Sequence, residues 1–243
     1  MTAEPPLDTF KTHEGGTAPS SPDRLARLGE LRAIREAIRL PLRAPSLLGH
    51  RSQRSARVVV LPGYGTNDAM TLPLRRFLRV KGHRPSGWGL GVNRGDFHEV
   101  FERFSAALAE IVDGEDEPVD LVGWSLGGIY AREAARDRPD AVRSVVTFGS
   151  PLLGPRYSAG SDAFAEEKLT QIETDIVDRY PQPIDAAVTA MYSRNDGIVD
   201  WRTCIDRFNE GTRNVEITST HVGMLVDPDV WAVVADRLSA TTE

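Results

Sequence analysis

Residues 119–133 read VDLVGWSLGGIYARE. In this stretch a short apolar run passes directly into a helical pattern, which predicts a strand over residues 119–125 and a helix over residues 126–138. A strand that is apolar along its whole length is typical of a parallel sheet with helices on both faces. Apolar runs and helical patterns alternate on both sides of the segment, so the sequence predicts a doubly wound, mostly parallel α/β sheet.

The other predicted elements follow the same alternation. Strands are expected in the runs RVVVL, VRSVVTFGS, AAVTAMYS and RNVEIT and near residues 83–92. Helices are expected near residues 69–81, 96–113 and 228–238. The alternation stops over residues 151–185, where an insertion contains one predicted helix, residues 162–179.

The composition is that of an ordinary globular chain. Its length of 243 residues suits one domain. Apolar residues make up 40% of the chain and charged residues 26%, a composition that excludes a disordered, collagen-like or membrane-embedded protein. The single Cys204 permits neither an internal disulfide nor a cysteine-built zinc site. No run reaches the roughly 18 apolar residues of a membrane-spanning helix, and no signal peptide is evident. We therefore expect a cytoplasmic protein without a nucleic-acid partner.

The N-terminal fifth differs in charge from the rest of the chain. Residues 1–22 are rich in Pro, Gly, Ser and Thr, which predicts a disordered tail. Residues 23–57 carry nine arginines against three acids, although the whole chain has a net charge of −6. We therefore divide the chain into the tail, a basic helix and linker over residues 23–56, and a main domain over residues 57–243.

The segment DRLARLGELRAIREAIRL predicts a basic amphipathic helix, with Asp23 as candidate N-cap and Pro41 as candidate stop. Apolar residues recur at spacings of three and four along one face, at Leu25, Leu28, Leu31, Ile34 and Ile38. We expect this face to pack on the protein's own core. The alternative is peripheral contact of residues 23–43 with an anionic membrane surface.

Gly123-Trp124-Ser125-Leu126-Gly127 has the form G-x-S-x-G and falls between the predicted strand and helix. Because this turn is tight, the positions two residues before and after the serine need small side chains. A serine in such a turn projects from the end of the sheet at the amino end of a helix. We therefore predict Ser125 as a nucleophile, which needs a base to take its proton and an acid to orient the base.

His221 and Asp196 are the candidate base and acid. The chain has five histidines, and His221, in a loop between the last predicted strand and helix, is the one that follows the serine. The acid is expected between serine and histidine in chain order, at the end of a strand. Asp196 fits this position, although a plain Asp-Gly turn is its alternative role. Its competitor is Asp200, a candidate N-cap of a helix that starts at Trp201.

Backbone N–H groups must receive the negative charge that forms on a carbonyl oxygen under attack. Leu126, directly after the serine, is one candidate donor. Tyr64 is the other, in the loop Leu61-Pro62-Gly63-Tyr64-Gly65 after the first strand, where the glycines could also serve only to turn the chain. No H-E-x-x-H motif or paired histidines indicate a metal site, so we expect neither a metal nor a cofactor.

Together, the motifs VVVLPGYGTND, WGLGVNRG, VDLVGWSLGGIYARE, VVTFGSPLLGP, YSRNDGIVDW and STHVGM make the chain resemble the bacterial lipases and esterases of the α/β-hydrolase superfamily. The resemblance covers about residues 57–240. It implies that Ser125 is the nucleophile, Asp196 the acid and His221 the base. It also implies that Tyr64 and Leu126 are the two oxyanion donors.

The chain departs from this resemblance at Pro62 and Trp124, where many relatives have histidine. The first two strands of the fold are also not evident, so the basic helix is expected to cover the sheet edge that they leave. The insertion 151–185 lies where the family carries a cap or lid, with an apolar helix face formed by Phe164, Leu169, Ile172 and Ile176. Such an underside suits acyl chains, although a helix packed permanently on the body has the same pattern.

The sequence therefore predicts a cofactor-free serine hydrolase that cleaves carboxylic esters through an acyl-enzyme, with a small-molecule ester or lipid as substrate. An acyltransferase is an alternative, because it shares every step until an alcohol other than water accepts the acyl group. A non-catalytic, membrane-associated binding module is the alternative from another class. Residue patterns do not determine the oligomeric state.

Overall fold

The computed structural model describes residues 19–49, 51–112, 117–159, 161, 166–179 and 182–240. Most of the predicted tail 1–22 lies outside these residues, as do His13, His50 and Phe164. None of the helices in the described residues is long and apolar enough to cross a membrane.

Strands and helices alternate along the described chain as predicted. The strands are β1 Arg57–Leu61, β2 Arg84–Gly87, β3 Val119–Trp124, β4 Val142–Phe148, β5 Ala187–Ser193 and β6 Arg213–Ile217. The helices are α1 Arg24–Leu28, α2 Ala33–Leu48, α3 Asp68–Val80, α4 Phe97–Val112, α5 Leu126–Asp137, α6 Glu166–Arg179 and α7 Pro228–Ser239. Short 3-10 turns lie at Gly29–Arg32, Pro155–Tyr157, Trp201–Cys204 and Gly223–Val226.

The strands form one parallel sheet in the order β2-β1-β3-β4-β5-β6. The chain leaves β1 toward one edge of the sheet and leaves β3 toward the other. Such a reversal opens a crevice at the carboxyl ends of the two strands, where parallel sheets bind ligands. The predicted doubly wound α/β fold is therefore confirmed.

Apolar side chains cover the sheet on both faces. Along β1, Val59 and Leu61 belong to a cluster shared with α4, α5 and α6, whereas Val58 and Val60 belong to a second cluster with α3 and α7. Successive strand residues point to opposite faces, so a strand of unbroken apolar sequence has a core on each side. This arrangement explains why RVVVL carries no polar alternation.

The N-terminal helix differs from its prediction in length. Asp23 caps it as predicted, because its Oδ1 accepts a hydrogen bond from the N–H of Ala26 at 2.8 Å. Pro41 does not end it, since α2 continues to Leu48 with Pro41 and Pro45 inside. A proline removes one helical hydrogen bond, but Pro41 is exposed, so the carbonyl it leaves unpaired can be hydrated.

The apolar stripe of this helix does not pack on the core, so that prediction is wrong. Leu28, Leu31, Ile34 and Ile38 are 60–72% exposed. The opposite face of the helix points toward the protein, because Glu36 is buried and Arg39 forms ion pairs with Asp227 at 3.5 Å and with Asp229 at 2.6 Å. The side chain of Leu25, the fifth residue of the stripe, lies outside the described residues.

The helix also lies elsewhere than expected. It packs on the turn Gly223–Val226 and on α7, rather than covering the β2 edge of the sheet. The ion pairs of Arg39 with residues at the start of α7 account for this placement.

The insertion contributes helix α6, and residues 162–165 of its predicted range lie outside the described residues. Leu169, Ile172 and Ile176 are buried, the two isoleucines in the cluster that contains residues of α4 and α5. Arg156 anchors the same helix by an ion pair with Glu173 at 2.9 Å. The apolar face that was a candidate acyl surface is therefore packed on the body.

Candidate active site

Ser125 occupies a strained turn between β3 and α5. Its backbone has φ 55° and ψ −127°, and among the described residues it is the one non-glycine with positive φ. The turn leaves no room for larger neighbours: a Cβ on Gly123 would lie 2.4 Å from Cα of Gly128, and one on Gly127 would lie 2.5 Å from O of Leu61. The strain persists because the packed strand and helix fix both ends of the turn.

Asp196 and His221 meet although 25 residues separate them. Oδ2 of Asp196 lies 2.7 Å from Nδ1 of His221, and both side chains are buried. The other carboxylate oxygen, Oδ1, accepts hydrogen bonds from the N–H groups of Ile198 and Val199 at 2.9 and 2.7 Å. The acid is thus held by its own turn, with one oxygen left to orient the imidazole.

The charges around His221 raise its pKa. Complete burial by itself lowers the pKa of the imidazole, but the charge and hydrogen bond of Asp196, together with the charge of Glu30, outweigh burial. With Nδ1 engaged by the carboxylate, the neutral ring carries its proton there and keeps a lone pair on Nε2. That nitrogen is the one available to take a proton from a nucleophile.

The competing residues have other contacts. Asp200 caps the turn Trp201–Cys204, because its side chain accepts a hydrogen bond from the N–H of Arg202 at 3.0 Å. Cys204 is buried in that turn, and burial raises the pKa of its thiol well above the ordinary value. A thiol held neutral in this way is a poor nucleophile.

The remaining described histidines lie away from this site. Nδ1 of His83 accepts a hydrogen bond from the N–H of Ala56 at 3.2 Å, and burial, with Arg54 and Lys81 nearby, lowers its pKa to about 4. His98 pairs with Asp175 of α6 at 2.8 Å.

The two candidate oxyanion donors come from different elements and line the same cavity as Ser125. Leu126 is the first residue of α5, and N–H groups in the first turn of a helix have no acceptor within the helix. Tyr64 lies in the loop after β1, which Asn93 holds by accepting from the N–H of Gly65 at 2.7 Å and donating to O of Pro62 at 2.9 Å. The loop is therefore fixed beside the turn that carries Ser125.

These groups line one cavity of about 200 Å³. Ser125, His221, Tyr64 and Leu126 all contribute to it, whereas Asp196 lies behind the histidine. The insertion contributes Pro151, Pro155 and Ser158 to the lining, and the rest comes from Trp124, Ile198 and Val222. The lining is mainly apolar, so the cavity suits an aliphatic group attached to a reacting carbonyl.

Two residues of the site were not found from the sequence. Nε1 of Trp124 donates to the carbonyl of His221 at 3.2 Å, and Glu30 accepts from the N–H of the same residue at 2.9 Å. From the sequence, Trp124 was only a position where many relatives have histidine. Glu30 was only one of three acidic residues in an arginine-rich segment. No local pattern predicts either contact, because each joins segments far apart in sequence.

A sequence model described as the alpha/beta hydrolase family matches residues 37–241. The chain belongs to this family. The resemblance noted from the motifs is therefore confirmed, and the parallel sheet of this alpha/beta hydrolase agrees with it. In the described residues, no cluster of His, Cys, Asp and Glu could hold a metal ion.

Two curated relatives of this alpha/beta hydrolase are pimeloyl-[acyl-carrier protein] methyl ester esterases. The protein from Aliivibrio salmonicida is 31% identical over 120 residues, which are 47% of this chain and 42% of the relative. The protein from Shewanella oneidensis is 25% identical over 140 residues, which are 56% of this chain and 52% of the relative. The chain thus spans about half the length of the curated relatives it matches.

Solved structures share the fold at low identity. The mature lipase BlEst2 of Bacillus licheniformis superposes with a TM-score of 0.60 and 15% identity, covering 78% of this chain and 94% of the lipase. Mouse alpha/beta hydrolase domain-containing protein 10 superposes with a TM-score of 0.54 and 20% identity, covering 76% of this chain and 90% of the mouse protein.

Proposed function

We propose that this alpha/beta hydrolase cleaves carboxylic esters, with Ser125 as nucleophile, His221 as general base and Asp196 as the acid that orients the base. One observation carries the proposal: the 2.7 Å Asp196–His221 pair backs the same cavity into which the strained serine turn opens. A buried carboxylate–imidazole pair beside a serine at a helix start is the arrangement that activates a hydroxyl.

In the first half of the reaction, Nε2 of His221 takes the proton of Ser125 while Oγ attacks the ester carbonyl. The N–H groups of Leu126 and Tyr64 receive the negative charge on the carbonyl oxygen. The tetrahedral intermediate then collapses, and the C–O bond to the alcohol breaks as the imidazolium returns its proton to the leaving oxygen. An acyl group remains on Ser125.

In the second half, His221 takes a proton from water as the water oxygen attacks the acyl carbonyl. The C–O bond to Ser125 then breaks, the imidazolium returns the proton to Oγ, and the carboxylic acid leaves. An acyltransferase would differ only at this step, because an alcohol would replace water. We favour hydrolysis, since both curated relatives carry names of esterases. Product analysis in the presence of competing alcohols distinguishes the two reactions.

We propose esters of small alcohols with an aliphatic acyl group as the substrate class. The relatives are named as methyl ester esterases, and the cavity here is mainly apolar. Its volume of about 200 Å³ is below the roughly 300–1,000 Å³ of typical ligand pockets, so it would enclose a short acyl group or the reacting end of a longer one. A series of p-nitrophenyl esters of graded chain length tests this.

The test of the mechanism compares Ser125→Ala and Asp196→Asn with Asp200→Asn. We expect Ser125→Ala to lose turnover and labelling by a fluorophosphonate, and Asp196→Asn to lose kcat by about 10⁴-fold, the effect of breaking such a pair elsewhere. Asp200→Asn alters a nearby buried carboxylate that does not touch His221, so it should retain activity. Full turnover by Ser125→Ala, or equal losses in the two aspartate variants, contradicts the assignment.

A second proposal concerns residues 23–43, which we propose contact an anionic lipid surface. Five large apolar side chains of the helix are 60–76% exposed: Leu28, Leu31, Ile34, Ile38 and Leu42. Exposed arginines alternate with them, at positions 27, 32 and 35, while Glu30 and Glu36 point to the protein. An outward face that is apolar and cationic fits the interface of an anionic bilayer. A cytoplasmic location stays a prediction.

Sedimentation of the full chain with vesicles tests this contact. We expect vesicles containing phosphatidylserine to carry the protein down, and vesicles of phosphatidylcholine alone to carry less. Leu31→Glu with Ile34→Glu should abolish the difference, whereas Val80→Glu, at an exposed apolar residue outside the stripe, should preserve it. Equal sedimentation of the stripe variant, or a dimer in solution that this variant dissociates, contradicts lipid binding.

A further inference from the structure

Glu30 links the two loops that carry the candidate acid and base. Its Oε1 accepts hydrogen bonds from the N–H of Gly197 at 2.8 Å and of His221 at 2.9 Å, and its Oε2 accepts from the N–H of Val222 at 2.9 Å. Gly197 follows Asp196 directly. One half-buried carboxylate thus contacts the backbone next to the acid and the backbone of the base itself.

The N-terminal segment lies close to these two loops. A Cβ on Gly197 would lie 2.2 Å from the carbonyl oxygen of Ala26 and 3.1 Å from Oε1 of Glu30. The glycine of the Asp-Gly turn is therefore required by packing against this segment. Glu30 itself lies in the 3-10 turn Gly29–Arg32, where the chain passes from α1 to α2.

We propose that Glu30 is a positioning residue that holds the Asp196 and His221 loops in register and stabilises the protonated imidazole during turnover. The inference rests on the proposed function, because only a reaction that protonates His221 makes use of the second effect. A carboxylate that accepts three backbone N–H groups forms charge-assisted hydrogen bonds, which are stronger than neutral ones. It also places a second negative charge near the ring, in addition to Asp196.

The charged and titratable groups around His221 come from several elements. Asp196 contacts the ring, and Glu30 raises the pKa of the imidazole through its charge. Three more belong to neighbouring segments: Glu36 beside Gly223, Tyr64 in the lining of the cavity, and Asp227, which binds Ser219 and pairs with Arg39. Removal of the Glu30 charge leaves Asp196 as the carboxylate in contact with the ring, so the pKa of His221 should fall without reaching that of a buried, unpaired histidine.

The closing experiment compares Glu30→Gln and Glu30→Ala with Glu117→Gln. Glu117 is exposed and precedes β3, at the opposite end of the sheet from Ser125, so its variant makes the same chemical change away from the site. Titration of the His221 imidazole by ¹⁵N NMR, assigned with His221→Asn, and the pH profile of kcat/KM are both recorded, with thermal unfolding as the check on folding.

We expect Glu30→Gln to move the His221 midpoint and the acidic limb of kcat/KM to lower pH. Glu30→Gln replaces one acceptor oxygen by an NH₂ group and so loses at least one of the three hydrogen bonds. Glu30→Ala, which removes all three, should lower kcat at least about tenfold with KM little changed. Glu117→Gln should leave the His221 midpoint and the pH profile of kcat/KM unchanged. A lower unfolding temperature with an unshifted His221 midpoint in Glu30→Gln overturns the proposal and leaves Glu30 a structural residue. The NMR titration needs no turnover, so it still reports on Glu30 if Ser125→Ala shows that the ester hydrolase proposal is wrong.

Discussion

The indole N–H of Trp124 donates a hydrogen bond to the carbonyl oxygen of His221 at 3.2 Å, and the two rings lie 5.4 Å apart. The residue before the candidate nucleophile therefore holds the backbone of the candidate base. Glu30 accepts from the N–H of the same residue, so both sides of the His221 backbone are fixed by side chains. The position of the imidazole depends on three residues besides itself: Asp196, Trp124 and Glu30.

Trp124→Phe removes this donor and keeps an aromatic ring. We expect kcat to fall about tenfold and the free energy of unfolding to fall by about 1–3 kcal/mol, because the buried carbonyl of His221 loses its partner. Trp88→Phe is the matched control, since Nε1 of Trp88 donates to the carbonyl of Gly91 at 3.0 Å, away from the histidine. Kinetics and urea unfolding should give a stability loss in both variants and a kcat loss in Trp124→Phe alone.

The pH dependence of kcat/KM should follow the ionisation of His221. Burial lowers the pKa of this imidazole, but Asp196 and Glu30 raise it more, so the acidic limb should lie above the ordinary value of about 6.5. The rate should rise with pH as the base loses its proton, and Asp196→Asn should move the limb to lower pH. A limb below about 6 would contradict this electrostatic balance.

The same ionisation contributes to stability. A histidine with a raised pKa in the folded state stabilises the protein at pH values below its unfolded pKa, and the stabilisation is lost as the pH rises through the folded value. The stability difference between the native protein and His221→Asn should therefore shrink from pH 6 to pH 9, by urea unfolding.

Gly123→Ala should disrupt the tight turn at Ser125. The added Cβ would meet Cα of Gly128 at 2.4 Å, and backbone atoms of a packed helix cannot give way as a flexible side chain can. We expect a loss of at least about 1–3 kcal/mol in unfolding free energy and a loss of fluorophosphonate labelling. In Gly49→Ala the added Cβ would meet its nearest neighbour at 3.5 Å, so that variant should keep both stability and labelling.

Arg132→Met should destabilise the fold by breaking a buried ion pair. The guanidinium lies 2.8 Å from Oδ2 of Asp206, and the two side chains are 3% and 0% exposed. The unpaired carboxylate should cost about 3–5 kcal/mol at pH 7. Arg103→Met removes an exposed pair with Glu99 and should cost no more than about 0.5 kcal/mol.

The pH dependence of that loss is a further check. Burial raises the pKa of Asp206, but Arg132 and hydrogen bonds from Thr212 and the backbone lower it more, so the pair stabilises the fold above the unfolded pKa. The contribution disappears as the pH falls through the folded pKa. Urea unfolding should therefore show a smaller difference between Arg132→Met and the native protein in acid than at pH 7.

The sheet and the tight turn at Ser125 were predictable because their signals are local. A continuous apolar run such as VDLVGW indicates a strand buried on both faces, and Ser125 with its glycines specifies one tight turn. The order of serine, aspartate and histidine followed from the fold once the sheet was predicted. Residue spacing within short segments was therefore enough to predict the fold and to identify the candidate triad.

The position of the N-terminal helix could not be predicted in the same way. Periodicity identifies the apolar face at Leu28, Leu31 and Ile34, but it does not state what that face meets. The orientation is set by Glu30 and Arg39, whose partners lie about 190 residues later in the chain. A pattern within one segment carries no information on such partners, so the helix was expected to bury the face that it exposes.

The contact between Glu30 and His221 spans 191 positions of the chain. At synthesis rates of 5–20 residues per second, roughly ten to forty seconds separate the emergence of the carboxylate from that of the histidine. The serine turn, midway along the chain, is complete well before the candidate base exists. Under the proposed function, a nascent or prematurely terminated chain carries an unactivated serine, and the candidate site is assembled only when the last part of the polypeptide joins the first.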